Sequence, residues 1–171
     1  MPIFGLFQGI SAKSGLTEPF STEWCKIDSL TWGVERPGQS IAVHEISRSI
    51  AQIQQIHLTK ATDGASSYLF AKAIAGNAVG TVTLAITESG SNKAIVAFKL
   101  DAAFVTSARV FADGSSGPRG ELALAFNKIA LAVWLPSGIQ LCTWDLAAQR
   151  PWPDAAQAFT ADARWGVRVK A

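Results

Sequence analysis

Apolar and polar side chains alternate in short runs along most of this chain, and Gly, Pro, Ser and Asn separate the runs. The runs are rich in β-branched and aromatic residues, which is typical of strands. The predicted strands are residues 3–9, 24–34, 53–60, 80–87, 93–100, 102–112, 121–135 and 139–146. Eight or nine short strands with turns at this spacing predict a mainly β fold, either a barrel or a sandwich.

The run 121–135 changes its pattern halfway along. Its alanines and leucines favour a helix by propensity, whereas its alternation favours a strand. The apolar positions are Leu122, Leu124 and Phe126, followed by Ile129, Leu131 and Val133 with the opposite parity. The parity changes at Asn127–Lys128, as happens at a bulge or where a strand bends from one sheet of a barrel into another. We interpret the run as one long, bent strand.

Residues 66–76 are predicted to form one short helix. Its apolar stripe at helical spacing consists of Leu69, Phe70, Ala73 and Ile74. Ser66 or Asp63 can cap the first amides with a side-chain oxygen, and Ser66 is the preferred cap. Gly76 is expected to end the helix because glycine readily takes a positive φ. Residues 41–52 are compatible with a second short helix or with a long extended loop.

Residues 56–76 also collect the side chains that active sites use, among them Lys60, Asp63 and Ser66. Lys60 precedes the predicted helix N-terminus, which is a place where anions bind. Asp63 or Ser66 is already placed to use the same amides as a cap. We therefore interpret this stretch as a strand, a turn and a packed helix rather than as a site.

Other candidate sites also have ordinary structural explanations. His44 and His57 lack the further ligands that a metal site needs at set spacing. The glycine-rich stretch 113–120 resembles a phosphate-binding nest, but it has no P-loop lysine and reads as a hairpin loop. Trp24, Trp32, Trp134 and Trp144 form a sugar platform or, in the preferred interpretation, core and interface packing. The carboxylates are scattered, with no pair close in sequence for glycoside chemistry.

The composition is unusually apolar for a soluble monomer. Hydrophobic residues make up 49% and charged residues 16%, with a mean hydropathy of +0.21, whereas charged residues average about 25%. This balance is expected if other copies of the chain cover part of the surface. The net charge is only +2 and the excess lies in the tail from Gln149, which argues against a nucleic-acid partner.

The sequence predicts no signal peptide, no membrane span and no disulfide. Residues 1–10 have no basic segment of the kind that opens a signal peptide. The longest apolar run has 14 residues and contains a lysine, which is too short for a membrane span. We expect Cys25 and Cys142 to be free thiols in a reducing cytosol. The basic end of the tail, residues 164–171, reads as a solvated or self-packing terminus rather than as a binding segment.

Four segments follow one another along the chain: LTWGVERPG (30–38), IQQIHLTKATDGASSYLF (53–70), GELALAFNKIALAV (120–133) and TWDL (143–146). Taken in this order, they resemble the Hcp (haemolysin-coregulated protein) family of bacterial type VI secretion. Their shared order and spacing extend the resemblance from about residue 3 to residue 148. Ser67 replaces the usual proline of the family, residues 39–52 lack its glycine-rich basic stretch, and residues 151–171 extend beyond its usual end.

The resemblance implies a β-barrel of two packed antiparallel sheets with one short flanking α-helix. It implies six copies in a ring and rings stacked into a tube, with a contractile sheath and a spike protein as partners. Small effector proteins are expected in the lumen. The family implies no catalytic residue, no cofactor and no metal, so no site residue is predicted for these roles. No nucleic-acid partner and no membrane span are expected.

The sequence therefore predicts an Hcp-like β-barrel domain over residues 1–150 and a C-terminal extension over residues 151–171. The predicted function is that of a structural tube subunit and not of an enzyme. The protein is expected to assemble in the bacterial cytoplasm and then to be secreted without a cleaved signal peptide. The alternative is a monomeric β-barrel module that binds a small ligand or a carbohydrate.

Overall fold

The computed structural model describes residues 1–12, 23–36, 50–90, 93–112, 114–115, 117–155 and 159. Most of the ambiguous stretch 41–52, together with His44 and the basic end 164–171, lies outside these residues. The described part of the chain contains eleven strands and one complete helix.

The strands and the helix have the following bounds. They are β1 (Ile3–Phe7), β2 (Cys25–Ile27), β3 (Ser29–Thr31), β4 (Val34–Glu35), β5 (Gln52–Ile53), β6 (Ile56–Ala61), α1 (Ser66–Ala75), β7 (Gly80–Thr87), β8 (Ala94–Phe111), β9 (Arg119–Ala125), β10 (Lys128–Leu135) and β11 (Gly138–Asp145). The predicted strand 24–34 is divided into β2, β3 and β4. Asp28 separates β2 from β3 and donates its backbone N–H to Thr59 O at 2.8 Å.

Two antiparallel sheets share the long strand β8. The six-stranded sheet has the order β2-β1-β7-β8-β10-β11, and the four-stranded sheet has the order β3-β6-β9-β8. The sheets also meet at their other edge, because β2 runs into β3 across a single residue. The strands thus close into a barrel, which confirms the predicted fold class. β4 and β5 form a separate two-stranded ribbon.

β8 passes from one sheet to the other at Ala102. It pairs with β10 up to Asp101 and with β7 up to Ala103, and from Phe104 it pairs with β9. Ala102 has a φ of 49°, a left-handed conformation that is uncommon for a residue with a Cβ. The prediction of two strands, 93–100 and 102–112, is therefore wrong. The polar Asp101 marks a bend within one strand of 18 residues rather than an end.

The neighbouring strand bends at the same place. The run predicted as one long strand is divided into β9 and β10, with Phe126 and Asn127 between them. β9 belongs to the four-stranded sheet and β10 to the six-stranded sheet, so the predicted crossing at Asn127–Lys128 is confirmed. The Asn127 N–H donates to Asp101 O at 3.1 Å, and its carbonyl accepts the Leu146 N–H at 2.8 Å. Both strands cross the corner together.

The helix α1 begins at Ser66, so the preferred cap is wrong. Ala65 occupies the N-cap position without a side-chain cap, while Asp63 Oδ1 accepts the Ala65 N–H at 2.9 Å. Gly76 ends the helix with a φ of 65°, as predicted. The predicted apolar stripe is only partly buried: Leu69 is fully buried, whereas Ile74 is 86% exposed. One fully buried residue in a helix of ten residues is enough, because the helix rests on a barrel that already has its own core.

Two separate apolar clusters lie on the two faces of the six-stranded sheet. The first fills the space between the sheets and includes Ile27, Leu58, Leu84, Leu100 and Leu124. The second lies on the outer face of the six-stranded sheet and includes Phe4, Trp24, Ala85, Ala97, Ala130, Ala132, Ala155 and Phe159. Successive residues of a strand point to opposite faces, so one sheet serves both clusters.

Candidate functional site

The outer face of the four-stranded sheet is polar, in contrast to that of the six-stranded sheet. It forms a shallow hollow of about 290 Å³ whose polar residues come from all four strands. They are Ser29 and Thr31 of β3, His57 and Thr59 of β6, Ser107 and Arg109 of β8, and Glu121 of β9. The intervening residues, such as Leu58 and Leu122, point into the core. We call this surface the polar face.

Side chains on the polar face pair with one another across the strands. Ser29 lies opposite Thr59, and their hydroxyl oxygens are 2.6 Å apart. Arg109 of β8 lies opposite Glu121 of β9, so that unlike charges are adjacent. Such cross-strand pairs stabilise a sheet.

No catalytic arrangement stands out on this surface. His57 is exposed and lies opposite Thr31 in the register of β3 and β6. Within the described residues, no group of three or more His, Cys, Asp or Glu side chains is placed to hold a metal ion. What the polar face offers chemically is a surface of hydroxyl groups, an imidazole and two side chains of opposite charge.

The four-stranded sheet has two strand edges without a partner in the described part of the chain. β3 pairs only with β6, and β8 beyond Phe104 pairs only with β9. These edges lie on opposite sides of the sheet because its order is β3-β6-β9-β8. Val110 and Phe111, at the end of β8, are 54% and 44% exposed. Unpaired edges of this kind are templates for a strand of another chain.

Lys60, in the stretch that collects active-site residue types, is committed to the fold. Its side chain is 1% exposed, and its ammonium lies 2.7 Å from Asp63 Oδ1. It donates to Ala61 O at 2.9 Å and to Ser66 Oγ at 3.1 Å. An ammonium has three N–H donors, so three acceptors satisfy it fully. Lys60 therefore fixes the turn between β6 and α1 and is not available to an anion.

The two cysteines are free, as predicted, and differ in environment. Cys25 is fully buried and donates its Sγ–H to Gly5 O at 3.2 Å. Burial raises the pKa of the Cys25 thiol to about 12, since a thiolate would lose its hydration there. Cys142 lies exposed on β11.

The four tryptophans do not form one platform. Trp24 and Trp134 belong to the outer cluster, whereas Trp32 and Trp144 pack against the core between the sheets. Trp32 makes an edge-to-face contact with Phe98, with ring centroids 5.7 Å apart. The preferred interpretation as packing residues agrees with this arrangement. The antiparallel strands β8 and β9 flank the predicted loop 113–120, although its last two residues, Arg119 and Gly120, already belong to β9.

An apolar groove of about 460 Å³ lies between the β4–β5 ribbon and the β10–β11 hairpin. Trp32, Val34 and Ile53 line one side, and Leu131, Cys142 and Trp144 line the other. Its volume falls in the range of small-molecule pockets, about 300–1,000 Å³.

The alternating polar positions of β3, β6 and β8 could have revealed the polar face in the sequence. That alternation predicts strands, but by itself it does not show which strands share a surface. The tertiary arrangement was needed as well, because strands far apart in sequence contribute to one face.

The family described as "Type VI secretion system effector, Hcp" matches residues 12–133 of the chain. The structure is similar to Hcp1 from Salmonella typhimurium, with a TM-score of 0.75, 16% identity and coverage of 88% of this chain and 98% of that chain. A type VI secretion system effector from Yersinia pestis has a TM-score of 0.69, 17% identity and coverage of 84% and 98%. A further solved structure, of a type six secretion system protein, has a TM-score of 0.77 and 19% identity, with coverage of 88% of this chain and 99% of that chain.

The TM-scores establish a common fold with these structures, and the family match rests on the amino-acid sequence of residues 12–133. No curated protein sequence matches the chain. In the part of the chain that the structure describes, no helix has both the length and the apolarity to cross a membrane.

Proposed function

This chain belongs to the Hcp family, whose members are secreted tube proteins of the type VI secretion system, and we propose that six copies of it form a ring. The rings stack into a tube, and small effector proteins travel in its lumen. A contractile sheath surrounds the tube and a spike protein caps it. The protein assembles in the cytoplasm and is then secreted.

The polar face is the observation that carries the proposal for the lumen. A channel that passes folded effectors needs a wetted wall without apolar patches, because apolar patches retain proteins. Ser29, Thr31, Thr59 and Ser107 provide such a wall, with Arg109 and Glu121 adjacent to each other. The outer face of the six-stranded sheet is apolar and covered, so it is the less suitable lining.

The two unpaired edges of the four-stranded sheet support ring closure. A ring requires two different surfaces on each subunit, one of which meets the other on its neighbour. In the proposal, the β3 edge of one subunit lies beside the β8 edge of the next. The four-stranded sheets then form one continuous wall with the polar face inward. The exposed Val110 and Phe111 become covered in this arrangement.

The role is structural and includes no catalytic step. The hydroxyls of Ser29 and Thr59 are hydrogen-bonded to each other. His57 lies opposite Thr31 in the register of β3 and β6, not between a nucleophile and a carboxylate. Residues 1–150 constitute the barrel domain, and residues 151–171 are an extension of it.

Negative-stain electron microscopy of the purified full chain tests the ring. Six-fold rings, and a mass of six subunits by light scattering, are expected at micromolar concentration. A mass of one subunit at all accessible concentrations contradicts the proposal.

The alternative, a monomeric ligand-binding module, is favoured by the apolar groove beside Trp32 and Trp144. Titration of the monomer with apolar ligands and with oligosaccharides, followed by tryptophan fluorescence, tests it. Saturable binding by a protein that stays monomeric supports the alternative, and rings that bind none of these ligands contradict it.

A further inference from the structure

A trough crosses the outer face of the six-stranded sheet. Ala85, Ala97 and Ala132 lie side by side in register on β7, β8 and β10. The row continues into Phe4 on β1 and Leu141 on β11, so bulkier side chains close both ends. With strands about 4.8 Å apart, the alanine part has room for aromatic side chains. We call this feature the alanine trough.

The alanine side chains of the trough are too small to shield it from solvent, yet other residues cover it completely. Ala85, Ala97 and Ala132 are each 0% exposed. Part of the cover comes from the end of the chain, since Ala155 and Phe159 are buried in the same cluster and Trp152 packs against it.

Two aromatic contacts fix this terminal segment to β10. The ring of Phe159 meets that of Trp134 edge to face, with centroids 6.2 Å apart. The ring of Trp152 lies 5.4 Å from Lys128 Nζ, within the range of a cation–π interaction. We call Trp152, Ala155 and Phe159 the strap.

The strap lies outside the part of the chain that the family match covers, which ends at residue 133. The solved relatives cover 84–88% of this chain, whereas this chain covers 98–99% of theirs. The surplus length therefore belongs to this chain.

We propose that the strap seals the alanine trough within its own subunit and so keeps assembled rings from joining side by side. This rests on the proposed ring, in which the polar face points inward and the six-stranded sheet forms the outer wall. Without the strap, the trough and its aromatic border form an exposed apolar patch on that wall. The occupant expected there is the same patch of a second copy, since each ring presents it around its whole circumference.

The first test measures cover directly by thiol labelling of the full chain. Ala132→Cys in a Cys142→Ser background places one reporter thiol under the strap, and Cys25 reports on the interior of the barrel. Adding Trp152→Ser and Phe159→Ser is expected to raise the labelling rate at position 132 about tenfold or more while Cys25 stays protected. An unchanged rate at position 132 overturns the proposal. Reaction of Cys25 also overturns it, because the strap would then hold the barrel together.

The second test measures association. The Trp152→Ser, Phe159→Ser double variant is expected to keep its rings and to show a several-fold larger fraction of rings joined side by side, counted in negative-stain images separately from rings stacked on their faces. Its matched control is Tyr68→Ser with Ile74→Ser, which removes two exposed side chains from α1 and is expected to change nothing.

The outcomes distinguish a failure of the proposed role of the strap from a failure of the proposed ring. Loss of rings in the double variant places the strap in the ring contact, and an unchanged fraction of side-by-side rings shows that the strap does not prevent their association. Either result overturns the proposal. If the unmodified protein forms no rings, the proposed function fails, while the labelling test still decides whether the strap covers the trough.

Discussion

Asp101 and Lys128 face each other where two strands cross from one sheet to the other, with Asp101 Oδ2 3.6 Å from Lys128 Nζ. Both side chains are partly exposed, at 41% and 33%, so their attraction contributes little to stability. The backbone bond from Asn127 N–H to Asp101 O holds the corner more directly. The next residue, Ala102, carries the unusual φ that turns the strand.

Ala102→Gly is expected to stabilise the protein. The left-handed conformation costs a residue with a Cβ about 1–2 kcal/mol, whereas glycine adopts it freely. Because glycine also gains freedom in the unfolded chain, the net gain should be about 0.5–1 kcal/mol. The measurement is the denaturant midpoint at constant m-value. Ala103→Gly, one residue away and buried with no positive φ, is the control and should destabilise; equal effects of both variants would contradict the assignment of strain to Ala102.

Asp63→Ala is expected to destabilise more than Lys60→Met. Removing the carboxylate leaves a buried ammonium without its charge partner, which costs about 3–5 kcal/mol. Methionine instead fills the volume of Lys60 and leaves Asp63, which is 24% exposed, to the solvent. Unfolding free energies from urea titration test this order. The reverse order would mean that Lys60 is not the buried member on which the turn depends.

Cys25 is expected to resist thiol reagents in the folded protein, while Cys142 reacts at once. Burial raises the folded-state pKa of Cys25 to about 12, above the ordinary thiol value of 9.0. The native state therefore holds its proton at pH values where the unfolded state has lost it. The contribution of Cys25 to stability is complete below pH 9 and is lost as the pH rises towards 12.

The matching measurement compares unfolding free energies of the protein and of Cys25→Ala across this pH range. The protein should lose more stability than the variant between pH 9 and pH 12. Parallel curves would show that the thiol does not ionise differently in the two states.

Val110→Lys is expected to weaken ring formation without unfolding the subunit. In the proposed ring the end of β8 meets the β3 edge of a neighbour, and an edge lysine opposes strand addition. The mass distribution by light scattering should shift towards single subunits, while the melting temperature of the single subunit changes little. Ile74→Lys, at another exposed apolar position, is the control and should leave the rings intact. Rings that persist in Val110→Lys and vanish in Ile74→Lys would place the contact on α1 instead.

The sequence predicted the structure correctly where a local pattern of residues determines it. The parity change between Phe126 and Ile129 located the crossing between the sheets, because burial on one side of a sheet imposes a strict period of two. Gly76 marked the helix end for a similarly local reason.

The sequence failed where a tertiary contact decides. Asp101 looked like a strand end, although its strand continues because two other strands hold it on either side. Ser66 looked like a cap, although its hydroxyl oxygen accepts hydrogen bonds from the Asp63 N–H and from the buried Lys60 ammonium. The polar face escaped notice because its residues come together only when strands distant in sequence pair.

The continuity of β8 through both sheets has a mechanical consequence. If the inner wall of a subunit is pushed along the strand direction, the force reaches the outer sheet through covalent bonds of the backbone. The hydrogen bonds between β8 and its neighbours are then loaded in parallel, in shear, rather than one after another. Such a subunit moves as a rigid block under a sudden thrust, and any yielding is expected at the contacts between subunits before the barrel itself opens.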